Sequence, residues 1–83
     1  MTVTDAVVRV LDAHAKLTSP AGALARDADL YAAGMTSHAS VNVMLAIEDA
    51  FDVEFPDELL TKSTFCSLGA ICCAVEGLLE AAA

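Results

Sequence analysis

The chain has no tryptophan, only four glycines and two prolines, and only four Lys and Arg residues. Each shortage excludes something. So little glycine and proline leaves few places for the repeated tight turns of a β-sandwich, and the abundance of Ala, Leu and Val favours helices. Four basic residues against twelve acidic ones give a net charge of −8. That charge repels a phosphate backbone and argues against nucleic-acid binding. No apolar stretch reaches the roughly 20 residues that a bilayer-spanning helix needs, so no membrane role is expected. The opening "MTVTDAVVRV" carries an acid early and no basic start before an apolar block, so it does not read as a secretory signal. The three cysteines, Cys66, Cys72 and Cys73, are assigned to one predicted helix and lack CxxC spacing. An odd count of this kind frames neither a disulfide scaffold nor a zinc site. Seven residues of helix separate Cys66 from Cys73 by about 10 Å along the axis, too far to bridge. The expectation is a protein of a reducing, cytoplasmic compartment.

What is present is helical periodicity. The 83 residues suit one small domain, taken as 1–83. Val3, Val7, Val10, Leu11 and His14 share a face and predict a first helix from about Thr4 to Lys16, with Thr2 and Asp5 in capping-box spacing. The connection "LTSPAGALARDADLYAAGMT" is broken by Pro20 and Gly22. Loops this long are uncommon in small domains and are usually functional. Leu24, Leu30 and Tyr31 are expected to pin it to the core. A second helix spans Ser37 to about Phe51, with Val43, Met44, Ile47, Ala50 and Phe51 turned inward. Pro56 suits the first turn of a short third helix through about Leu60. Ser63 or Thr64 then caps a last helix from about Phe65 to Glu80, striped by Leu68, Ile71, Cys72, Val75, Leu78 and Leu79. The expected fold is all-α: a small four-helix bundle of three main helices and one short one, with a long first loop.

The start of the second helix concentrates polar chemistry in "GMTSHAS". Ser37 reads first as an N-cap, its hydroxyl satisfying a free amide of the first turn. The same position also suits an attachment point. It ends a loop, and the free amides and dipole of the helix start favour a phosphate ester. A serine modified by another enzyme needs no base of its own, and the chain offers no convincing set of nucleophile, base and orienting group. An enzyme is therefore not expected. His38 follows the serine, but adjacent helix residues do not face one another, and it reads as an exposed contact. His14 reads as an interface histidine on the first helix.

Half of the twelve acids, Glu48, Asp49, Asp52, Glu54, Asp57 and Glu58, fall between residues 48 and 58. They form either a solvated face or a surface that steers basic patches of partner proteins. They lack the spacing and central glycine of an EF-hand, so no metal site is expected. On the helical wheel Ser37, His38, Val41, Leu45, Glu48 and Asp49 share one side. Apolar Val41 and Leu45 ringed by charge have the layout of a docking patch.

The stretch "DADLYAAGMTSHASVNVMLAIEDAFDVEFPDELL", Asp27 to Leu60, resembles the acyl/peptidyl carrier protein family. The resemblance rests on the Leu-x-x-x-Gly-x-x-Ser run of Leu30, Gly34 and Ser37. It rests also on the acidic-aromatic stretch "IEDAFDVEFPDELL" after an apolar helix, and on "STFCSLGAI" as the entry to the last helix. The wording "LYAAGMTSHASV" looks especially like stand-alone aminoacyl carrier proteins. The family's commonest form around the serine is Asp-Ser-Leu. Here it is Thr36-Ser37-His38, so the acid that generally helps the modifying transferase dock is missing.

The resemblance implies that Ser37 carries covalent 4′-phosphopantetheine, installed from coenzyme A by a phosphopantetheinyl transferase. It implies that the arm's thiol holds an acyl or aminoacyl group as a thioester. The protein, a monomer, would be loaded by an adenylating ligase, for the aminoacyl subfamily one resembling class II aminoacyl-tRNA synthetases, and would deliver the cargo to an acceptor enzyme. Thr36, His38, Val41, Leu45, Glu48 and Asp49 would form the docking surface. The rival reading is an unmodified interaction module that uses the same helix face.

Overall fold

Thr2 opens the first helix in the computed structural model, which describes residues 2–82. The Thr2 hydroxyl accepts from Asp5 N at 3.1 Å, and the Asp5 carboxylate accepts from Thr2 N at 3.4 Å. This reciprocal pair satisfies two amides that the helix cannot satisfy itself. The helix α1 runs Val3–His14, starting one residue earlier and stopping two earlier than its periodicity predicts. The stop is conformational: Lys16 takes a left-handed φ of 57°, which no α-helix continues through. Val7 and Leu11 are fully buried and Val3 and Val10 half-buried, but His14 is exposed. His14 therefore belongs to no interface within the fold; it lies in the last turn, where a helix end tolerates a polar group.

The long connection is closely tied down. Ala21 N donates to the Asp12 carboxylate at 2.7 Å, and residues Ala21–Ala23 form a single 3-10 turn against α1 that the sequence pattern did not announce. Thr18 donates twice to Ala33 O, from its amide and its hydroxyl. Leu30 N donates to Cys66 O at 2.7 Å, and Gly69 N donates to Arg26 O at 2.9 Å. Leu30 is buried, and Leu24 and Tyr31 pack against the core, so these three residues anchor the loop as expected. Gly34 closes it with φ 120°. A side chain there would be strained and would press on Lys16 O at 3.3 Å.

Helix α2 spans Ser37–Phe51, as expected. It ends at Asp52, which adopts a left-handed φ of 53° and donates back to Glu48 O; Asp is among the few residues that accept this conformation. Ala39, Val43 and Ile47 form its buried seam, with Met44 and Phe51 half-buried beside them. Ala50 is exposed, contrary to its expected place in the core. A wheel gives direction around the axis, but burial also needs a neighbouring element at the same height.

The expected short third helix is one 3-10 turn, Asp57–Leu59, with Pro56 ahead of it as an extended residue rather than within its first turn. The last helix, α3, runs Leu68–Ala82. It begins three residues later than predicted, because the cap is Ser67. Ala70 N donates to the Ser67 hydroxyl at 3.1 Å and Ile71 N to its carbonyl at 3.1 Å. Ser63 and Thr64 belong instead to a preceding turn, in which Thr64 N donates to the Thr61 hydroxyl. Phe65 thus lies ahead of α3 as a core residue, its ring edge-on to Phe55 at 5.4 Å and 64°.

Leu68, Ile71, Cys72 and Val75 are buried, and Leu78 and Leu79 pack on them, as the stripe requires. Of the cysteines, Cys72 is buried, Cys73 exposed, and Cys66 half-buried outside the helix rather than in it. Helix α1 packs against both α2 and α3, and the buried residues of all three form one core. Among the described residues no helix is long and apolar enough to cross a membrane.

Candidate functional site: the start of α2

Three hydroxyl residues lie within five positions here, and the structure gives them three different situations. Thr36 is the N-cap: its Oγ1 accepts from Ala39 N at 3.0 Å. Ser40 turns inward along the helix and donates to Ser37 O at 2.7 Å. Ser37 lies between them as the first helical residue, exposed, and its Oγ takes part in no hydrogen bond among the described residues. The reading of Ser37 as the cap is therefore corrected. Thr36 holds that place, and the serine hydroxyl is left free.

The backbone around it is poised for an anion. The first amides of an α-helix have no intrahelical acceptor. Ala39 N is satisfied by the Thr36 side chain and Ser40 N by Thr36 O, whereas the amides of Ser37 and His38 have no partner among the described residues. Two free N–H groups at the positive end of a 15-residue helix favour a phosphate ester beside them.

Along the helix, the expected docking side is largely exposed. His38 and Asp49 face solvent. Val41 and Leu45, at 49% and 53% exposure, are two of the most exposed large apolar side chains in the fold. Glu48, also expected on this side, has a partner within the fold. It is half-buried, and its carboxylate accepts from Phe55 N at 2.8 Å. It ties the segment after α2 back onto the helix, and a carboxylate engaged with a part-buried amide is less available to a partner. Thr36 is exposed, but its hydroxyl is likewise occupied.

Ser37 also borders a groove of about 370 Å³ that sequence reasoning missed. Val41, Met44, Leu60 and Phe65 supply apolar wall, and Tyr31 and Lys62 line it too. The Lys62 ammonium sits 4.9 Å from the centre of the Tyr31 ring, a cation–π contact worth about 0.5–1 kcal/mol at an exposed site. One signal was legible: Lys62 is the single Lys or Arg after Arg26. Among the described residues no group of three or more His, Cys, Asp or Glu side chains gathers as a metal site.

The comparisons with known proteins agree with this geometry. The family profile "Phosphopantetheine attachment site" matches residues 2–72. An aminoacyl carrier protein of Agrobacterium fabrum (strain C58 / ATCC 33970) is 52% identical over 62 residues, covering 75% of each chain. The fold is similar to a chain in the crystal structure of an engineered Bradyrhizobium japonicum glycine:[carrier protein] ligase complexed with carrier protein from Agrobacterium tumefaciens and ATP. That match has a TM-score of 0.86 and 44% identity, and covers 90% of this chain and 97% of that one. A solution structure of a protein from Agrobacterium tumefaciens is similar with a TM-score of 0.73 and 43% identity, covering 95% of each chain.

An all-α bundle with a free serine hydroxyl at a helix start, matched along most of its length, defines the class: the chain belongs to the phosphopantetheine-attachment family of carrier proteins. Its cofactor is covalently attached 4′-phosphopantetheine, and within the family it is similar to stand-alone aminoacyl carrier proteins. The residues present fit that cofactor: an accessible hydroxyl, two free amides for its phosphate, and an adjoining groove.

Proposed function

We propose that Ser37 is the residue that bears the phosphopantetheine and that the protein carries an aminoacyl group between enzymes. The single observation behind this reading is the Ser37 hydroxyl, exposed and released from capping by Thr36. When bound, the cofactor supplies a terminal thiol able to hold the cargo as a thioester. Ser37 itself provides only an accessible oxygen; the base that takes its proton belongs to the phosphopantetheinyl transferase. The free amides of Ser37 and His38 are the donors that would meet the resulting phosphodiester at the helix end. The chain is a single carrier domain with no catalytic group of its own. Its three free thiols suit a reducing, cytoplasmic setting.

Loading falls to an adenylating ligase, as for the Agrobacterium tumefaciens carrier protein found in complex with a glycine:[carrier protein] ligase. An acceptor enzyme then takes the cargo. Exposed Val41 and Leu45 form the apolar centre of the docking face, with His38 and Asp49 at its rim. The net charge of −8 steers basic partners toward it. Thr36 and Glu48 belong to the same face, each with one oxygen already accepting a hydrogen bond within the fold.

Incubation with coenzyme A and a broad-range transferase, followed by intact-mass measurement, tests the assignment. The expected result is one phosphopantetheine per chain, and none on Ser37→Ala. Addition that survives Ser37→Ala overturns the assignment. Leu45→Asp should lower the kcat/KM of ligase loading about tenfold or more, the cost of losing a central apolar contact. Unchanged loading would remove Leu45 from the docking face.

A further inference from the structure

Lys62 is placed unusually for this chain. With twelve acidic residues available, the last cation in the sequence sits on an aromatic face, 4.9 Å from the centre of the Tyr31 ring. Both side chains line the groove that Ser37 lines. The groove's remaining wall is apolar or hydroxylic: Val41, Met44, Leu60 and Phe65, with Ser40 and Thr61. A cation held over a ring keeps much of its charge available to an anion, because the ring presents no full negative charge to neutralise it. The anion this groove must meet, once Ser37 is modified, is the phosphodiester of the arm.

We propose that Lys62, carried on the Tyr31 ring, is a positioning residue for the attached arm: it draws the phosphodiester on Ser37 toward the groove and so holds the unloaded arm against Met44, Leu60 and Phe65. The inference rests on the Ser37 reading and adds to it a determinant on the lining supplied by Tyr31 and by the 60–65 segment, termed the far wall below. The ring–ammonium contact sets where the charge stands, while the apolar wall takes the uncharged part of the arm. A neighbouring carboxylate in place of the ring would cancel the attraction; the aromatic partner leaves it intact.

The test compares amide chemical shifts of the unmodified and the fully modified full-length protein, for wild type, Lys62→Gln and Lys62→Arg, with conversion of each checked by intact mass. In the wild type, modification is expected to move the amides of Tyr31, Met44 and residues 60–65 as well as those of 36–41. In Lys62→Gln the shifts at the far wall should fall by about half or more, while those at 36–41 persist. Lys62→Arg, which keeps both charge and ring contact, should restore them. Raising ionic strength to about 1 M, where the Debye length is about 3 Å, should reduce the far-wall shifts of the wild type and of Lys62→Arg, and leave the residual shifts of Lys62→Gln unchanged. Equal far-wall shifts in wild type and Lys62→Gln overturn the proposal, as do wild-type shifts confined to 36–41. If no mass is gained by the wild type, the Ser37 assignment fails and takes this inference with it. If mass is gained and the far wall is silent, only the role of Lys62 fails.

Discussion

Two serines mark the starts of the two longer helices, and they do opposite things. Ser67 stands one position ahead of α3 as its cap, 9% exposed, with its hydroxyl bound to Ala70 N. Ser37 stands one position inside α2, exposed, its hydroxyl unbound. The difference is one residue of register, and the preceding residue sets it. Before Ser37 comes Thr36, which caps the helix; before Ser67 comes Cys66, whose thiol is a poor substitute for a capping hydroxyl. A helix start can thus yield either a structural serine or an available one, depending on whether a neighbour takes the cap.

This contrast can be broken by substitution. The largest effect expected is at Ser37→Ala: complete loss of attachment, with stability within about 0.5 kcal/mol of wild type by denaturant unfolding. Ser67→Ala should do the reverse, costing about 1–2 kcal/mol, because it strands a part-buried amide as well as removing a cap. For a domain of this size each kcal/mol lowers Tm by about 4–8 °C. Thr36→Ala should cost about 1 kcal/mol. Thr36→Asp sharpens the comparison with the smallest effect: Asp caps at least as well as Thr, so stability should hold within a few tenths of a kcal/mol. If Ser37→Ala destabilised as much as Ser67→Ala, its hydroxyl would be a cap after all and the distinction would collapse.

Much of the fold was legible because it is local. The capping box of Thr2 and Asp5, both bounds of α2, the stripe through Ile71, Cys72 and Val75, and the anchoring of the long loop by Leu30 all follow from periodicity and turn chemistry within a few residues. The start of α3 did not, because Thr61, Ser63, Thr64 and Ser67 all offer capping hydroxyls. Choosing among them depends on Phe65 reaching Phe55, a contact between distant segments. His14 and Ala50 were misplaced for a related reason: an inward direction on a wheel does not supply a neighbour to pack against.

At the site, helix chemistry alone pointed to Ser37 as a cap; it was the resemblance carried by Leu30, Gly34 and Ser37 that singled it out for attachment. The exposure of Val41 and Leu45 followed from the same wheel. The fixed role of Glu48 was not visible, since its partner is the amide of Phe55, beyond the end of the helix. The groove was hidden as well, because it joins Tyr31 on the loop, Met44 on α2 and Lys62 after the second 3-10 turn. Three stretches far apart in sequence meet only when the loop is tied to Cys66 and Gly69.

The central claim is that, of the three hydroxyls at the start of α2, Thr36 and Ser40 are engaged and Ser37 alone is free. Proteolysis of the modified protein, followed by fragment mass spectrometry that localises the phosphopantetheine, tests this directly. The added mass is expected on Ser37 in every modified molecule. Mass on Thr36 or Ser40 would mean that an engaged hydroxyl, and not the free one, is the attachment point.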